Sequence, residues 1–389
     1  MNFNYYKFLT FKKFSIIFLV FLIFFFQAGL LFAQEDDLTV TASSGVLMDG
    51  ETGRILWEKD SNTERPMAST TKMMTAVLAI ENVSSKDVIT TSSLAADAGE
   101  AEIYLSPGEK ITVEELLYGV LLKSGNDAAV ALAEHVGGNV ESFIKMMNEK
   151  AEILGAKRTH FLNPTGLEQE GHYSTACDLA LIARFCLQNE KFAEIVSTKE
   201  HTIPWPNNPY PRTFVNHNKL LLKYDYVDGV KTGYTKKAGY CLVASVTKEK
   251  KRLISVVLNA PTSKNCYEDS KKILDFGLNK FEIKKIIKKG DSFRLMPLLV
   301  WKDELNLVAE KDLPLLTRKK PDGLKKIILV KYPDLPVFKG QKIGEIKVVS
   351  DQGELGKVNL LADKNIFAPG FTEKIYEYIG SFLKILSKK

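Results

Sequence analysis

Several signatures of common protein classes are missing from this sequence. The four cysteines, Cys177, Cys186, Cys241 and Cys266, show neither a C-x-x-C spacing nor the density of a disulfide framework. Free thiols are the simpler reading, with one bridge left open for an exported protein. The five histidines, His135, His160, His172, His201 and His217, include no H-E-x-x-H or similar ligand pair, so neither a catalytic metal nor a cofactor is expected. No basic run is interleaved with stacking aromatics, so the formal charge of +6 does not point to nucleic acid; it is compatible with an anionic envelope or membrane surface. No repeat or low-complexity tract is present.

What is there fits a folded, exported protein. At 389 residues, 45% apolar and 26% charged, the chain is long enough for two or more domains with buried cores. Residues 1–33 read as an export signal: Lys7, Lys12 and Lys13 open it, 14–26 form an apolar core, and Leu31-Phe32-Ala33 is the candidate cleavage site. The stretch 14–33 is also just long enough to span a bilayer, so an uncleaved anchor is the competing reading. In both cases the rest of the chain is expected outside the cytoplasmic membrane.

The centre of the sequence is Ser69-Thr70-Thr71-Lys72. Pro66 precedes it and no breaker follows until about Asn82, so Ser69 is expected to open a helix. Residues three apart share a helix face, which puts the Lys72 amine beside the Ser69 hydroxyl. A desolvated, neutral lysine there can take the hydroxyl proton as attack begins. The spacing alone is weak, since it recurs at Ser142/Lys145, Ser245/Lys248 and Ser381/Lys384. Its company separates Ser69: Ser124-Gly125-Asn126 follows, and then Lys231-Thr232-Gly233, the only Lys-Thr-Gly in the chain.

Around these motifs the pattern alternates helix and strand. Apolar runs flanking 49–53 predict a hairpin. Thr112 caps a helix with Glu114 and Glu115 in its first turn, and Gly125 breaks the pattern into a turn presenting Ser124 and Asn126 to a cleft. Helices follow over 139–155 and from Ser174, taken as the cap, to 187. Strands are expected at Val227–Thr235, 240–246 and 253–259, then a closing helix at 269–276. Beyond Phe281, short alternating segments with Gly and Pro turns predict a small β domain. Residues 371–386 carry an apolar stripe with lysines, the pattern of an interfacial membrane helix, packing on the small domain being the alternative.

In these motifs the sequence resembles the penicillin-recognising serine enzymes. Through Ser124-Gly-Asn-Asp-Ala-Ala, Asn163-Pro-Thr-Gly-Leu, Tyr173-Ser-Thr-Ala-Cys-Asp-Leu and Asp228-Gly-Val-Lys-Thr-Gly-Tyr-Thr it resembles most the D-alanyl-D-alanine carboxypeptidases, the low-molecular-weight penicillin-binding proteins. The resemblance implies an α/β (α+β) transpeptidase-like fold with an antiparallel sheet and a helical cluster. The expected segments are a signal peptide at 1–33, a D,D-peptidase domain at 38–278, a small β-rich domain at 281–366 and an amphipathic helix at 368–389. It further implies that Ser69 attacks the penultimate D-alanine of a peptidoglycan stem, with Lys72 as base and Ser124 relaying the proton to the leaving amine. Asn126 would hold the substrate amide, Lys231 and Thr232 its carboxylate, and Gly233 would clear room for it. By the same analogy the backbone N–H groups of Ser69 and Tyr234 form the oxyanion hole.

β-Lactams are expected as covalent inhibitors, and the extracytoplasmic face of the cell membrane as the location. Related outcomes are a D,D-endopeptidase or a β-lactamase; a different class is an idle β-lactam sensor or wall-binding protein, against which the complete motif set argues. No residue is assigned to orienting the deacylating water. Glu168 and Glu170 read as surface carboxylates, His172 as a loop residue, and Thr165 stands where some relatives carry histidine.

Overall fold

The computed structural model describes residues 38–206, 208–297, 304–318 and 323–367. The chain divides into two compact units, residues 1–40 and 41–389, and of the first only 38–40 are described. The expected export signal and terminal amphipathic helix therefore lie outside the described residues. Among the described residues, no helix is long and apolar enough to cross a membrane.

Strands β1 (Ser44–Asp49) and β2 (Ile55–Lys59) form the expected hairpin. Two small antiparallel pairs follow, β3–β4 (Val88–Thr90, Lys110–Thr112) and the hairpin β5–β6 (Glu200–Ile203, Arg212–Val215). The second has the proline-rich tip at 204–211. β7 (Val227–Thr235), β8 (Gly239–Lys248) and β9 (Lys251–Ala260) then complete a five-stranded antiparallel sheet in the order β2-β1-β9-β8-β7. β1 and the middles of β8 and β9 are buried on both faces, as their nearly continuous apolar runs require. Val46 and Met48 join the main core. Leu47 points the other way, toward Gly277 of the helix Ser263–Lys280, as the two-residue period of a strand dictates. That helix extends well past the predicted 269–276 at both ends.

The helical cluster is built around the helix Lys72–Asn82, in which 72–79 are all buried. A helix apolar on every side belongs in a core. The helix Asn126–Gly137 packs on it and is buried through 126–133. Thr112 forms the predicted cap: its side chain accepts from the Glu115 N–H and the Glu115 carboxylate accepts in return. The cap of the helix Ala176–Cys186 is Thr175 rather than Ser174. The Ser174 hydroxyl is instead shared with Thr159, and its backbone bridges Arg65.

Among the described residues from Phe281 onward, the regular elements are all strands. β10 (Phe281–Ile287) pairs with β13 (Leu313–Arg318), and β11 (Ser292–Pro297), β12 (Glu304–Ala309), β14 (Lys325–Val330), β15 (Lys342–Ser350) and β16 (Gly353–Ala362) form a second five-stranded sheet. It has its own apolar core around Leu307, Ile346 and Leu360. The Gln352 side chain closes the free edge of β2, accepting from the Ile55 N–H at 2.8 Å and donating to its carbonyl at 3.0 Å. The Arg54 guanidinium donates to the Leu316 carbonyl at 2.7 Å.

Candidate active site

Two helix starts and a sheet edge converge on one cleft. Ser69 lies in a one-turn 3₁₀ helix, Ala68–Thr71, and the α-helix proper starts at Lys72. Ala68, immediately before the serine, adopts φ +49°, a left-handed conformation costing an L-residue about 1–2 kcal/mol. Lys72 is fully buried. Its Nζ lies 3.1 Å from Ser69 Oγ, 2.6 Å from Asn126 Oδ1 and 2.7 Å from the Thr165 carbonyl oxygen. Burial pushes the Lys72 pKa well below its usual value and Lys231 pushes it further, against smaller opposing pulls from Asp127 and Glu100.

This geometry fixes which partner gives a proton. Amide and peptide oxygens only accept, so a neutral Lys72 donates its two hydrogens to Asn126 and Thr165. Its lone pair is left facing the Ser69 hydroxyl.

Ser124 ends a π-helical turn, Gly119–Lys123, at φ +67°. That turn breaks the helical register, so Ser124 lines the cleft while Asn126 starts the next helix. Ser124 Oγ is buried and has no hydrogen-bond partner among the described residues. A buried unpaired hydroxyl is costly and calls for a functional reason. Asn126 is engaged at both ends: besides accepting from Lys72, its amide nitrogen donates to the Gly99 carbonyl at 2.8 Å, and its backbone N–H to Ala101 O at 2.6 Å. The buried Asp127 carboxylate accepts from Ile103 N–H and Leu105 N–H at 3.0 Å each. The loop whose Ala101 lines the cleft is thereby held.

β7 is an edge strand and closes the opposite side. Lys231 is 1% exposed, donates to the Thr232 carbonyl at 3.1 Å, and has its pKa lowered by burial to about 7. Thr232, Gly233 and Tyr234 line the cleft. A Cβ on Gly233 would sit 3.0 Å from Ser69 N and 3.1 Å from Ala68 Cβ. What the missing side chain clears is therefore the turn carrying Ser69, where the sequence suggested room for substrate. Between these walls lies a cavity of about 270 Å³, at the small end of ligand sites.

Sequence reasoning missed four contributors. Thr165 acts through its carbonyl, and Gly166, at φ +84°, has its Cα so close to Ala68 that a Cβ would lie 2.0 Å from the Ala68 oxygen. The Asn163-Pro-Thr-Gly-Leu run marked this loop, but a role carried by backbone has no side-chain signature. His217 lines the cleft although it is exposed overall, and the desolvated pocket and the lysines 231 and 123 push its pKa down. His172 does lie in a loop, but it is 5% exposed and hydrogen-bonded to Thr71 behind the Ser69 turn. Glu168 is exposed and accepts from the Lys237 N–H at 2.7 Å, which holds its carboxyl below the usual carboxylate range. No group of three or more potential metal ligands occurs among the described residues.

Comparison with known proteins places the chain in a family. Residues 31–262 match the family model described as D-alanyl-D-alanine carboxypeptidase, and 281–367 match that of the penicillin-binding protein 5 C-terminal domain. The chain is 37% identical to the D-alanyl-D-alanine carboxypeptidase DacF of Bacillus subtilis, covering 91% of this chain and 94% of that one. It is 34% identical to DacC of Escherichia coli, covering 91% and 92%. The crystal structures of penicillin binding protein 5 from Haemophilus influenzae superpose with a TM-score of 0.68 at 33% identity, over 85% of this chain and 98% of that one. With matches running through both sheets and all three motifs gathered at one cleft, the chain belongs to the D-alanyl-D-alanine carboxypeptidase family of serine peptidases.

Proposed function

We propose that this chain removes the terminal D-alanine from peptidoglycan pentapeptide stems through an acyl-enzyme on Ser69. The observation that carries the reading is the buried Lys72 amine, whose other two partners accept only, leaving its lone pair for Ser69. Ser69 Oγ attacks the penultimate D-alanine carbonyl and its proton passes to Lys72. The C–N bond then breaks, the amine collects a proton by way of Ser124, and water hydrolyses the ester. The unpartnered Ser124 hydroxyl supports the relay. Asn126 orients Lys72, and reaches a substrate amide by exchanging one of its present bonds.

Lys231 and Thr232 take the terminal carboxylate, whose charge offsets the cost of a buried ammonium. Backbone N–H groups of Ser69 and Tyr234 receive the oxyanion, each such donor typically contributing about 2.7–4 kcal/mol. β-Lactams, which carry a carboxylate beside a reactive amide, acylate the same serine. In this reading 38–278 is the peptidase, 281–366 a supporting β domain, and 371–386 places the enzyme on the extracytoplasmic membrane surface.

The test is to incubate the purified protein with a pentapeptide ending in D-Ala-D-Ala and measure free D-alanine. Release that is abolished, together with fluorescent-penicillin labelling, by Ser69→Ala supports the reading. Normal labelling without release would make the chain a sensor, and rapid penicillin turnover a β-lactamase. Deleting 371–389 is expected to free a signal-cleaved protein from membranes; continued sedimentation would assign attachment to residues 14–33.

A further inference from the structure

His172 lies behind the nucleophile turn, away from the residues just assigned. Its Nδ1 accepts from the Leu162 N–H at 3.0 Å. That nitrogen is therefore unprotonated, and the ring hydrogen sits on Nε2, 2.9 Å from Thr71 Oγ1. Burial, with a smaller contribution from His160, lowers the His172 pKa to about 4 and keeps this neutral form. Thr71 Oγ1, accepting from His172, donates in turn to the Ala68 carbonyl at 2.9 Å. The relay thus has one direction: Leu162 N–H to His172, His172 to Thr71, Thr71 to Ala68 O. His172, Thr71 and Ala68 are 5%, 1% and 2% exposed, so water does not substitute for any link.

The end of the relay gives it a purpose. Ala68 C=O and Ser69 N–H belong to one planar unit, and across a trans peptide they point to opposite sides. A hydrogen bond that fixes the carbonyl on the Thr71 side therefore fixes the direction of the Ser69 N–H on the other. Ala68 at φ +49° is not at rest there. Such a conformation persists only where its surroundings over-determine it.

We propose that His172 is a positioning residue for the oxyanion hole, aiming the Ser69 N–H through Thr71 and the Ala68 carbonyl. This rests on the proposed function only in taking the Ser69 N–H as an oxyanion donor. The donor is useful in proportion to its alignment with an oxygen that becomes charged only in the transition state. Loss of the relay is therefore expected to lower kcat and the rate of acylation by a β-lactam, while leaving KM nearly unchanged.

Four proteins test it: His172→Ala, His172→Gln, Thr71→Val and the double variant His172→Ala/Thr71→Val, each assayed for D-alanine release and penicillin acylation. Removing a whole oxyanion donor costs on the order of 10²–10³-fold, so His172→Ala is expected to lose about 10–100-fold in kcat with KM within threefold. His172→Gln, which keeps an N–H directed at Thr71, is expected to recover most of that loss. Thr71→Val cuts the same relay, so the double variant should be no slower than the slower single one. Full kcat in Thr71→Val, losses that multiply in the double variant, or a KM rise matching the fall in kcat would overturn the inference. Should His172→Ala fail to fold, Thr71→Val and His172→Gln decide it by the same split. A wild-type protein that releases no D-alanine would refute the proposed function instead, a result distinct from any of these.

Discussion

Replacing Gly166 by alanine tests how tightly the 163–167 loop clasps the nucleophile turn, and Gly138→Ala supplies the control. Both glycines have left-handed backbones, at φ +84° and φ +75°, but a Cβ on Gly138 meets nothing within 4 Å. On Gly166 it would lie 2.0 Å from the Ala68 oxygen and 2.9 Å from Ser69 N. Backbone strain common to both is about 1–2 kcal/mol. Relief of the clash requires the loop to retreat by about 1 Å, at an overpacking cost of about 1–3 kcal/mol. That retreat stretches the bonds from Lys72 to Thr165 O at 2.7 Å and from Thr75 to Pro164 O at 2.6 Å, each worth about 1 kcal/mol. Gly166→Ala is therefore expected to cost about 4–7 kcal/mol if both bonds are lost, and Gly138→Ala about 1–2, on those same scales. At about 2–4 °C per kcal/mol for a domain of this size, thermal melts should separate the two variants by several degrees. Acylation by a fluorescent penicillin should fall about 100-fold in Gly166→Ala alone, as a misplacement of about 1 Å can cost that much. Equal melting temperatures with equal acylation rates would refute the claim that this loop sets the position of Ser69 and Lys72.

Three further outcomes follow from charges held out of water. The Lys231 pKa of about 7 predicts that kcat/KM falls as pH rises through 7, because the free enzyme then loses the cation proposed to receive the carboxylate; Lys231→Arg, with a charge that does not titrate, should flatten that limb. The folded pKa lies below the unfolded one, so the native state carries the full burden of the Lys231 charge below pH 7 and sheds it as pH rises toward the unfolded value of 10.5. Lys231→Met should accordingly raise the melting temperature most at or below pH 7 and progressively less above it, which melts across pH would check. Arg212→Met strands the Glu109 carboxylate, whose side chain is 5% exposed, and should cost about 3–5 kcal/mol, while Arg212→Met/Glu109→Met restores most of the loss in denaturant titrations.

The legible part of the site was what side-chain chemistry and order carry. Ser69, Ser124 and Lys231 could be found because a hydroxyl, a second hydroxyl and an amine recur at fixed local spacings, and the structure gathers all three motifs at one cleft. The hairpin at 49–53, the Thr112 cap and the three strands after 227 were legible because turn residues and two-residue alternation are local properties. Choosing Ser174 over Thr175 as a cap failed because both can cap, and Thr159 decided between them from fifteen positions away. The π-helical turn at Gly119–Lys123 was invisible because its apolar residues continue the helical stripe. Gly233 was read against a substrate, while its close neighbour is the Ser69 turn. Contacts made by backbone, such as Thr165 O on Lys72, depend on which loops meet and leave no mark on residue type.

The role proposed for Lys72 as base is a consequence of burial as much as of identity. Ser142 and Lys145 share the same spacing on a helix, but that helix buries only one face, at Phe143, Met147 and Ala151, and both residues remain outside the core. Lys72 differs because the helix it starts is buried along its first eight residues, which removes the water that would keep the ammonium charged. Its partners Asn126 and Thr165 then hold the amine without supplying a compensating negative charge. Two left-handed residues, Ala68 and Ser124, and two buried lysines make this a locally unfavourable arrangement, which the surrounding core offsets. Any change that admits water behind Lys72, even one that leaves all three motifs intact, should therefore raise its pKa and slow acylation.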